Sequence, residues 1–357
     1  MEQGGRNSAT ERIGTVSIWT SLLLLLLALF LLNLALGSVR IPLSSIFAIL
    51  FGGEAEKETW RTIVLLYRLP RALTAILAGC ALSVSGLQMQ TLFRNPLAGP
   101  YVLGISSGAS LGVAVAVLVS GSIGGSSLLA GLGIAGAFGT VMFAGLGAGV
   151  VFGLIILVSR KVESNMTLLI LGLMFGYASG SVVSILLHFS EAGRIQAFVA
   201  WTFGSFGGVS WAQLKVMAPM ILLGLLLAIM MTKSLNAMLL GENYALSMGV
   251  SVRRVRWLII LSASLLAGAA TAFCGPIAFV GIAVPHLCRM AFRSLDHRLL
   301  VPSVIVVGAS LALAADLVAQ MPGSQTVLPL NAVTAIIGTP VVVWVIFRGS
   351  NVRGGSV

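Results

Sequence analysis

Charged residues are scarce in this sequence. Of its 357 residues, 9% are charged and 58% are hydrophobic, and the mean hydropathy is +1.05. A soluble domain carries about 25% charged residues, so this deficit excludes a soluble globular protein. Repeated apolar runs of about 20 residues match helices that cross a hydrocarbon layer of ~30 Å. Because the alternating ten-residue strands of a membrane barrel are also missing, we predict an all-α polytopic membrane protein.

Acidic residues are fewer than basic ones. Ten aspartates and glutamates stand against 21 lysines and arginines, which gives a net charge of +11. The basic residues lie at the ends of apolar runs rather than on one exposed face, and this placement excludes a nucleic-acid partner. If the ten spans begin with a cytoplasmic N-terminus, most of the basic residues fall on the cytoplasmic side. The pattern therefore predicts that both termini are cytoplasmic.

Motifs of catalytic and metal sites are missing as well. The three cysteines, Cys80, Cys274 and Cys288, form no CxxC pair, and the three histidines form no HExxH motif. No phosphate loop of the form GxxxxGK(S/T) occurs, so we do not expect this chain to hydrolyse ATP itself. The sequence predicts a protein that is not an enzyme, with no catalytic residue, metal site or cofactor of its own.

About ten transmembrane helices are predicted. The first apolar run is too long for a signal peptide and is predicted to be a retained helix. The eighth span is short and contains Pro285, which predicts a broken or tilted helix. Residues 191–209 predict an external half-helix and turn. The ten predicted spans are residues 16–36, 63–92, 100–120, 129–158, 165–189, 211–239, 254–274, 276–292, 299–319 and 328–348.

The spans form one domain, with a weak internal repeat. We predict a cytoplasmic tail at 1–15, a single transmembrane domain at 16–348 and a second cytoplasmic tail at 349–357. The stretches LAGCALSVSG (77–86) and LAGAATAFCG (266–275) share five identical positions in the second and seventh spans. Spans five apart have opposite orientations, as in the inverted repeats of transporters. Chance similarity between helices rich in small residues is the alternative.

A polar segment, residues 233–257, separates two apolar runs on the cytoplasmic side. Gly241 and Glu242 resemble a helix start, with an acid near the positive end of the helix dipole. Gly249 resembles a helix stop. Two interpretations remain open, namely a loop that packs on its own bundle and a short helix that docks into a groove of a soluble partner. The apolar face of such a helix would comprise Ala245, Leu246, Gly249 and Val250.

Two arginines mark the predicted outer start of the second span. Pro70 suits the first turn of a helix, and the three-residue spacing of Arg68 and Arg71 places them on neighbouring helical positions. They could anchor the helix to lipid headgroups. They could equally bind carboxylates of an external partner, because the planar guanidinium pairs with carboxylate through two hydrogen bonds.

Asp316 is the only acidic residue well inside a predicted span. An intramembrane carboxylate is costly, so it indicates either an ion site of a secondary transporter or a structural hydrogen-bond partner. A proton-coupled carrier typically has several buried acids or a His–acid pair, and their absence from the sequence favours the structural role. The further candidates for structural or gate positions are Asn95, Pro96, Pro285 and His286.

Four stretches resemble one family. The stretch RLPRALTAILAGCALSVSGLQMQTLFRNPLAGPYVLGISSGASLG (68–112) is similar to the signature of the FecCD-type permeases, the membrane subunits of ABC importers for ferric siderophores, haem and cobalamin. The stretch GPIAFVGIAVPHLCRM (275–290) resembles a second block of that family. LGENYALSMGV (240–250) resembles its coupling segment, and LPLNAVTAIIGTPVVVWVI (328–346) resembles its last span.

The resemblance implies a type II ABC importer permease, similar to the cobalamin importer permeases, that forms a homodimer in the bacterial cytoplasmic (inner) membrane. It implies two cytoplasmic ATPase subunits, a periplasmic or lipid-anchored solute-binding protein, and a ferric siderophore or related metal chelate as substrate. Arg68 and Arg71 match arginines that dock the binding protein. The residues matching the ATPase-coupling segment, in a loop of about 240–256, are Leu240, Gly241, Glu242, Ala245, Leu246, Gly249 and Val250.

Two departures from the family pattern concern the outer surface. Many members have arginine where Gln320 stands and glutamate where Val327 stands, so docking here could depend more heavily on Arg68 and Arg71, or involve a differently charged partner. The sequence thus predicts the permease of an ATP-driven importer. The alternative is an ion-coupled secondary transporter that uses Asp316.

Overall fold

In the computed structural model, the described residues are 2–53, 56–119, 137–159, 161–162, 164–323 and 326–353, and all regular structure within these ranges is helical. Two π-helical turns occupy Ile63–Arg68 and Val115–Val119. The helices are α1 (Glu2–Ala35), α2 (Leu43–Leu50), α3 (Glu58–Thr62), α4 (Leu69–Phe93), α5 (Ile105–Ala114), α6 (Ala137–Ser159), α7 (Asn165–His188), α8 (Ala192–Thr202), α9 (Trp211–Met230), α10 (Thr232–Leu240), α11 (Glu242–Ser247), α12 (Val252–Cys274), α13 (Val280–Phe292), α14 (His297–Gln320) and α15 (Leu330–Arg353).

The apolar helices confirm an all-α polytopic membrane protein. Among the described residues, seven of them are long and apolar enough to cross a membrane, and shorter apolar helices occupy 105–118, 280–292 and 330–344. All ten lie within or beside the ten predicted spans. Residues 129–136 of the predicted fourth span fall outside the described residues. The predicted half-helix after the fifth span is α8.

One predicted span is interrupted. The sixth span was predicted over about 211–239, and the structure divides it at Met231 into α9 and α10. In α10, the side-chain oxygen of Asn236 accepts the backbone N–H of His297 at the start of α14 and contacts its ring. Pro70 lies in the first turn of α4, as expected, and the π-helical turn Ile63–Arg68 joins this helix to α3. A π-helical turn fits this place because Pro70 lacks a backbone N–H.

Helix α4 forms the centre of the bundle. It packs against α9, α12, α13 and α14, and almost all of its small residues are buried. A Cβ added to Gly79 would overlap the carbonyl oxygen of Gly308, and one added to Gly86 would overlap that of Gly281. In a bilayer no hydrophobic effect drives helices together, so close backbone contact between small residues takes its place. This packing explains the Ala, Gly, Ser and Cys content of LAGCALSVSG.

The two stretches of the internal repeat lie on neighbouring antiparallel helices. Ser85 of α4 donates a hydrogen bond to the carbonyl of Ala263 in α12 (2.9 Å), and Gln88, further along α4, donates to Ser262 (3.0 Å). Later residues of α4 therefore meet earlier residues of α12. This is the relative orientation that an inverted repeat requires.

The eighth span is shorter than predicted, and it is not broken at Pro285. Residues 275–279 are not helical, whereas α13 begins at Val280 and continues through Pro285 to Phe292. Tyr101 stabilises the irregular stretch, since its hydroxyl donates to the carbonyl of Ile277 (2.9 Å) and accepts from the Ile277 N–H (3.1 Å). The side-chain oxygen of Asn331 accepts from the N–H of Ala278 (3.0 Å). Non-helical backbone at membrane depth is tolerated where protein groups satisfy it in this way.

Candidate coupling and docking sites

Helix α11 has the start and the stop that the sequence predicted. Gly241 precedes it with φ of 121°, a conformation that side-chain-bearing residues rarely adopt, and Gly249 follows it with φ of 78°. The N–H of Val250 bonds to the carbonyl of Ala245 (3.0 Å), and the N–H of Gly249 bonds to that of Leu246 (2.9 Å). These two bonds form a Schellman motif, the ordinary way in which a glycine ends a helix.

The apolar face predicted for this helix is partly wrong. Ala245 is fully buried and Val250 is half-buried, so they do not share an exposed surface with Leu246. Ala245 faces inward because the helix lies against the end of the bundle. The spacing of apolar residues in the sequence does not show which side of the helix the bundle covers. The exposed apolar surface instead consists of Leu240 (65% exposed), Tyr244 (52%), Leu246 (56%) and Met248 (59%).

Glu242 also faces the bundle. Its carboxylate forms an ion pair with Arg256 of α12 at 3.1 Å and accepts a hydrogen bond from Asn165 of α7 at 2.7 Å. The same amide nitrogen of Asn165 donates to the carbonyl of Leu92 in the last turn of α4 (2.9 Å). Arg256 further donates to the carbonyl of Val162 (3.2 Å). Sequence reasoning missed Asn165 and Arg256 as partners of Glu242. The available signal was that Glu242 is the only acid among several basic residues in the segment 233–257.

Asp316 lies in an ion pair rather than alone. Both of its oxygens are engaged, because Arg71 donates to them at 2.8 to 3.0 Å and Gln320 donates to the second at 2.7 Å. The Asp316 side chain is 1% exposed and that of Arg71 is 20% exposed. The pair joins α4 to α14 and gives the intramembrane acid a structural partner. Gln320, one turn after Asp316 on α14, binds this pair.

Arg68 is buried, whereas direct docking of a partner or anchoring to lipid headgroups would require an exposed arginine. Its guanidinium donates to the carbonyls of Leu34 (2.7 Å), Ala35 (3.0 Å) and Val39. These carbonyls belong to the last turn of α1 and the segment after it, where helical carbonyls lack intrahelical partners. Arg68 and Arg71 are therefore near each other in sequence but bind different parts of the bundle. Val327, the second departure, is 61% exposed.

The four further gate candidates cluster near the end of α4. The ring of His286 contacts the carbonyl oxygen of Pro96 through Nε2 (2.8 Å). Pro285 is buried inside α13, and Asn95 uses its side-chain oxygen to accept the N–H of Leu97 (2.9 Å) in the turn after α4. The contacts hold α13 against this turn.

A buried histidine that sequence reasoning left unassigned lies beside this turn. His297 is 1% exposed, and its ring contacts Thr91 of α4 and Asn236 of α10, each at 2.8 Å. Asp296, in the loop before α14, accepts hydrogen bonds from the backbone N–H of Arg298 and from Asn236, and these bonds lower the pKa of its carboxyl. Within the described ranges, no group of three or more His, Cys, Asp or Glu residues could hold a metal ion.

The comparisons with known proteins agree with this architecture. The FecCD transport family matches residues 25–348. The hemin transport system permease protein HmuU of Yersinia pestis is 36% identical over 336 residues, covering 94% of this chain and 98% of that protein. The vitamin B12 import system permease protein BtuC of Klebsiella pneumoniae is 34% identical over 329 residues, covering 92% of each chain.

A solved structure shares the fold. It is described as an inward-facing conformation of a metal-chelate type ABC transporter, and it covers 93% of this chain and 99% of its own at 27% identity, with a TM-score of 0.80. The family match spans nearly the whole transmembrane region, and the relatives are named as permeases rather than enzymes. The chain therefore belongs to the FecCD transport family, as the multi-pass permease subunit of an ABC importer that works with ATPase and substrate-binding partners.

Proposed function

We propose that two copies of this chain form a homodimeric permease whose α11 helices bind two cytoplasmic ATPase subunits. The exposed apolar surface of α11 supports the proposal. Tyr244 and Leu246 of this six-residue helix, with Leu240 at the end of α10 and Met248 just after α11, are all more than half exposed. Such an apolar surface at the end of a bundle suits insertion into a groove of a soluble protein. ATP binding and hydrolysis would then move α11 and reorient the helix bundle.

The substrate proposed is a metal chelate of the ferric siderophore, haem or cobalamin class. The named relatives carry haem and vitamin B12, and the structural neighbour is of metal-chelate type. We place the complex in the bacterial cytoplasmic (inner) membrane, with both termini and α11 on the cytoplasmic side. The net charge of +11 and the basic segment 253–256 beside α11 support this orientation.

On the outer side we propose docking of a periplasmic or lipid-anchored solute-binding protein near Arg71. One fifth of the Arg71 side chain remains exposed, so part of its surface is open to an external carboxylate. Arg68 would act indirectly, because its guanidinium is held by three backbone carbonyls. The exposed Val327 and the Gln320 that binds Asp316 add no charge to this surface.

Co-purification from the native membrane tests the assembly. The tagged full chain is extracted in a mild detergent, and the proteins that accompany it are identified and quantified by mass spectrometry. We expect a permease dimer with two ATPase subunits and a solute-binding protein, whose bound ligand identifies the substrate. A lone dimer under conditions that preserve other ABC importers would contradict the proposal and would reopen the ion-coupled alternative at Asp316.

A further inference from the structure

The cytoplasmic network around Glu242 connects α11 to three membrane-spanning helices. The Glu242 carboxylate contacts Arg256 of α12 and Asn165 of α7 directly, and it reaches Leu92 of α4 through one intervening amide. The Arg256 side chain is 10% exposed and the Glu242 side chain 32%. Charge-assisted hydrogen bonds in such a partly buried setting are stronger and more directional than those on an open surface.

The two ends of α11 are glycines. Gly241 and Gly249 adopt positive φ angles, and glycine backbones change conformation at little steric cost. A cleft of about 590 Å³ lies between one side of α11 and the ends of α4 and α7. Ala245 and, just after the helix, Val250 contribute apolar contacts to the bundle. The contacts of Glu242 supply the polar side-chain connection between α11 and these spans.

We propose that Glu242 is the positioning residue that makes α11 move as one body with the cytoplasmic ends of α4, α7 and α12. The inference rests on the proposed binding of α11 to an ATPase subunit. Without the Glu242 contacts, a displacement of α11 would be absorbed at Gly241 and Gly249 and would not reach the bundle. With them, the displacement reaches α12 through Arg256 and the last turn of α4 through Asn165.

The test measures a distance within one protomer of the complete importer. Cysteines introduced at Ser247 in α11 and Leu97 after α4 carry spin labels, since both positions are exposed and the native Cys80, Cys274 and Cys288 are buried. Two-tag purification gives complexes with one labelled protomer. Pulsed electron paramagnetic resonance then records the distance without nucleotide and with ATP and vanadate.

If α11 moves as one body with the end of α4, the wild-type protein should show the same distance between the two labels without nucleotide and with ATP and vanadate. In Glu242→Gln we expect the distance to shift by about 2 Å or more between the states, the size of helix displacements at interfaces. Reversing the pair with Glu242→Arg and Arg256→Glu should reduce the shift. Glu191→Gln is the matched control, because Glu191 forms an exposed ion pair with Arg194 on α8, and it should behave as wild type.

Two results would overturn the inference while the assembly remains intact. One is a nucleotide-dependent distance in the wild-type network, which needs no variant and so does not depend on variant folding. The other is an unchanged distance in Glu242→Gln while the ATPase is bound and hydrolyses ATP. If the ATPase does not co-purify with wild-type permease, the proposed function fails instead, and gel analysis of the same samples separates that result from the first two.

Discussion

At the scale of single residues, the Arg71–Asp316 pair explains why a carboxylate lies inside the bundle. Asp316→Asn removes the charge that balances Arg71 and leaves a partly buried guanidinium without its counterion. Breaking one side of a buried ion pair destabilises a protein by about 3 kcal/mol. We therefore expect a clear loss of thermal stability in detergent, measured by the temperature at which the permease aggregates.

The double variant Arg71→Gln with Asp316→Asn separates a structural role from an ion site. It removes both charges, so it should recover part of the stability lost in Asp316→Asn. Glu191→Gln provides a control at an exposed pair, where little change is expected. Two results together would contradict the structural role. Asp316→Asn would be as stable as the wild type, and it would lose an uptake activity that proceeds without any ATPase.

Tyr101 is a second residue whose contribution to stability can be estimated from its hydrogen bonds. Its hydroxyl both donates to and accepts from the backbone of Ile277, in the non-helical stretch before α13. Tyr101→Phe leaves a buried N–H and a buried carbonyl without this partner, which typically destabilises by about 1–3 kcal/mol. We expect a lower unfolding temperature than in Tyr177→Phe, the matched change at a tyrosine that is 70% exposed. Equal stability of the two variants would contradict this role.

At the scale of elements, the structure differs from the sequence prediction where contacts between distant residues decide the outcome. The ten apolar spans follow from hydropathy, and both ends of α11 follow from two glycines and an acid. The interruption at Met231 does not, because no proline or glycine lies at or next to it. The contact between Asn236 and His297, about 60 residues later, is also not visible in the sequence. Likewise, the burial of Ala245 and Arg68 depends on which side of each helix the bundle covers, and one sequence does not contain this information.

Close packing of α4 on α13 gives a prediction at this scale. A Cβ at Gly86 would overlap the backbone of Gly281, and backbone atoms cannot move aside as a flexible side chain can. Gly86→Ala should separate the helices and destabilise the bundle by at least about 1–3 kcal/mol, seen as a lower yield of folded protein in size-exclusion chromatography. Gly153→Ala in α6, where nothing lies within 4 Å, is the control and should fold normally. Normal yield of Gly86→Ala would show that the helices pack less closely than described.

At the scale of the whole molecule, the two ends of the bundle have different chemistry. One end holds Arg71 and Asp316 in a largely buried ion pair, whereas the other end exposes an apolar helix beside several arginines. The end of α4 and the turn after it lie beside α11 and contact α7, α13 and α14 through Leu92, Thr91, Gln90 and Pro96. The Glu242 contacts therefore provide a short polar route from α11 to α4, whose other end holds Arg71 of the Arg71–Asp316 pair.

Association with the ATPase is the prediction that belongs to the assembled molecule. Leu246→Ala removes an exposed apolar side chain of α11, and truncating an anchor residue in an interface weakens binding by more than about 1 kcal/mol, or at least fivefold. We expect at least this loss in affinity between the purified permease and the ATPase, measured in nanodiscs by fluorescence titration. Leu146→Ala in α6 is the matched control, because Leu146 is 62% exposed on the side of a spanning helix and should leave affinity unchanged. Equal affinities would place the ATPase contact elsewhere on the cytoplasmic surface, whereas a selective loss would assign it to α11.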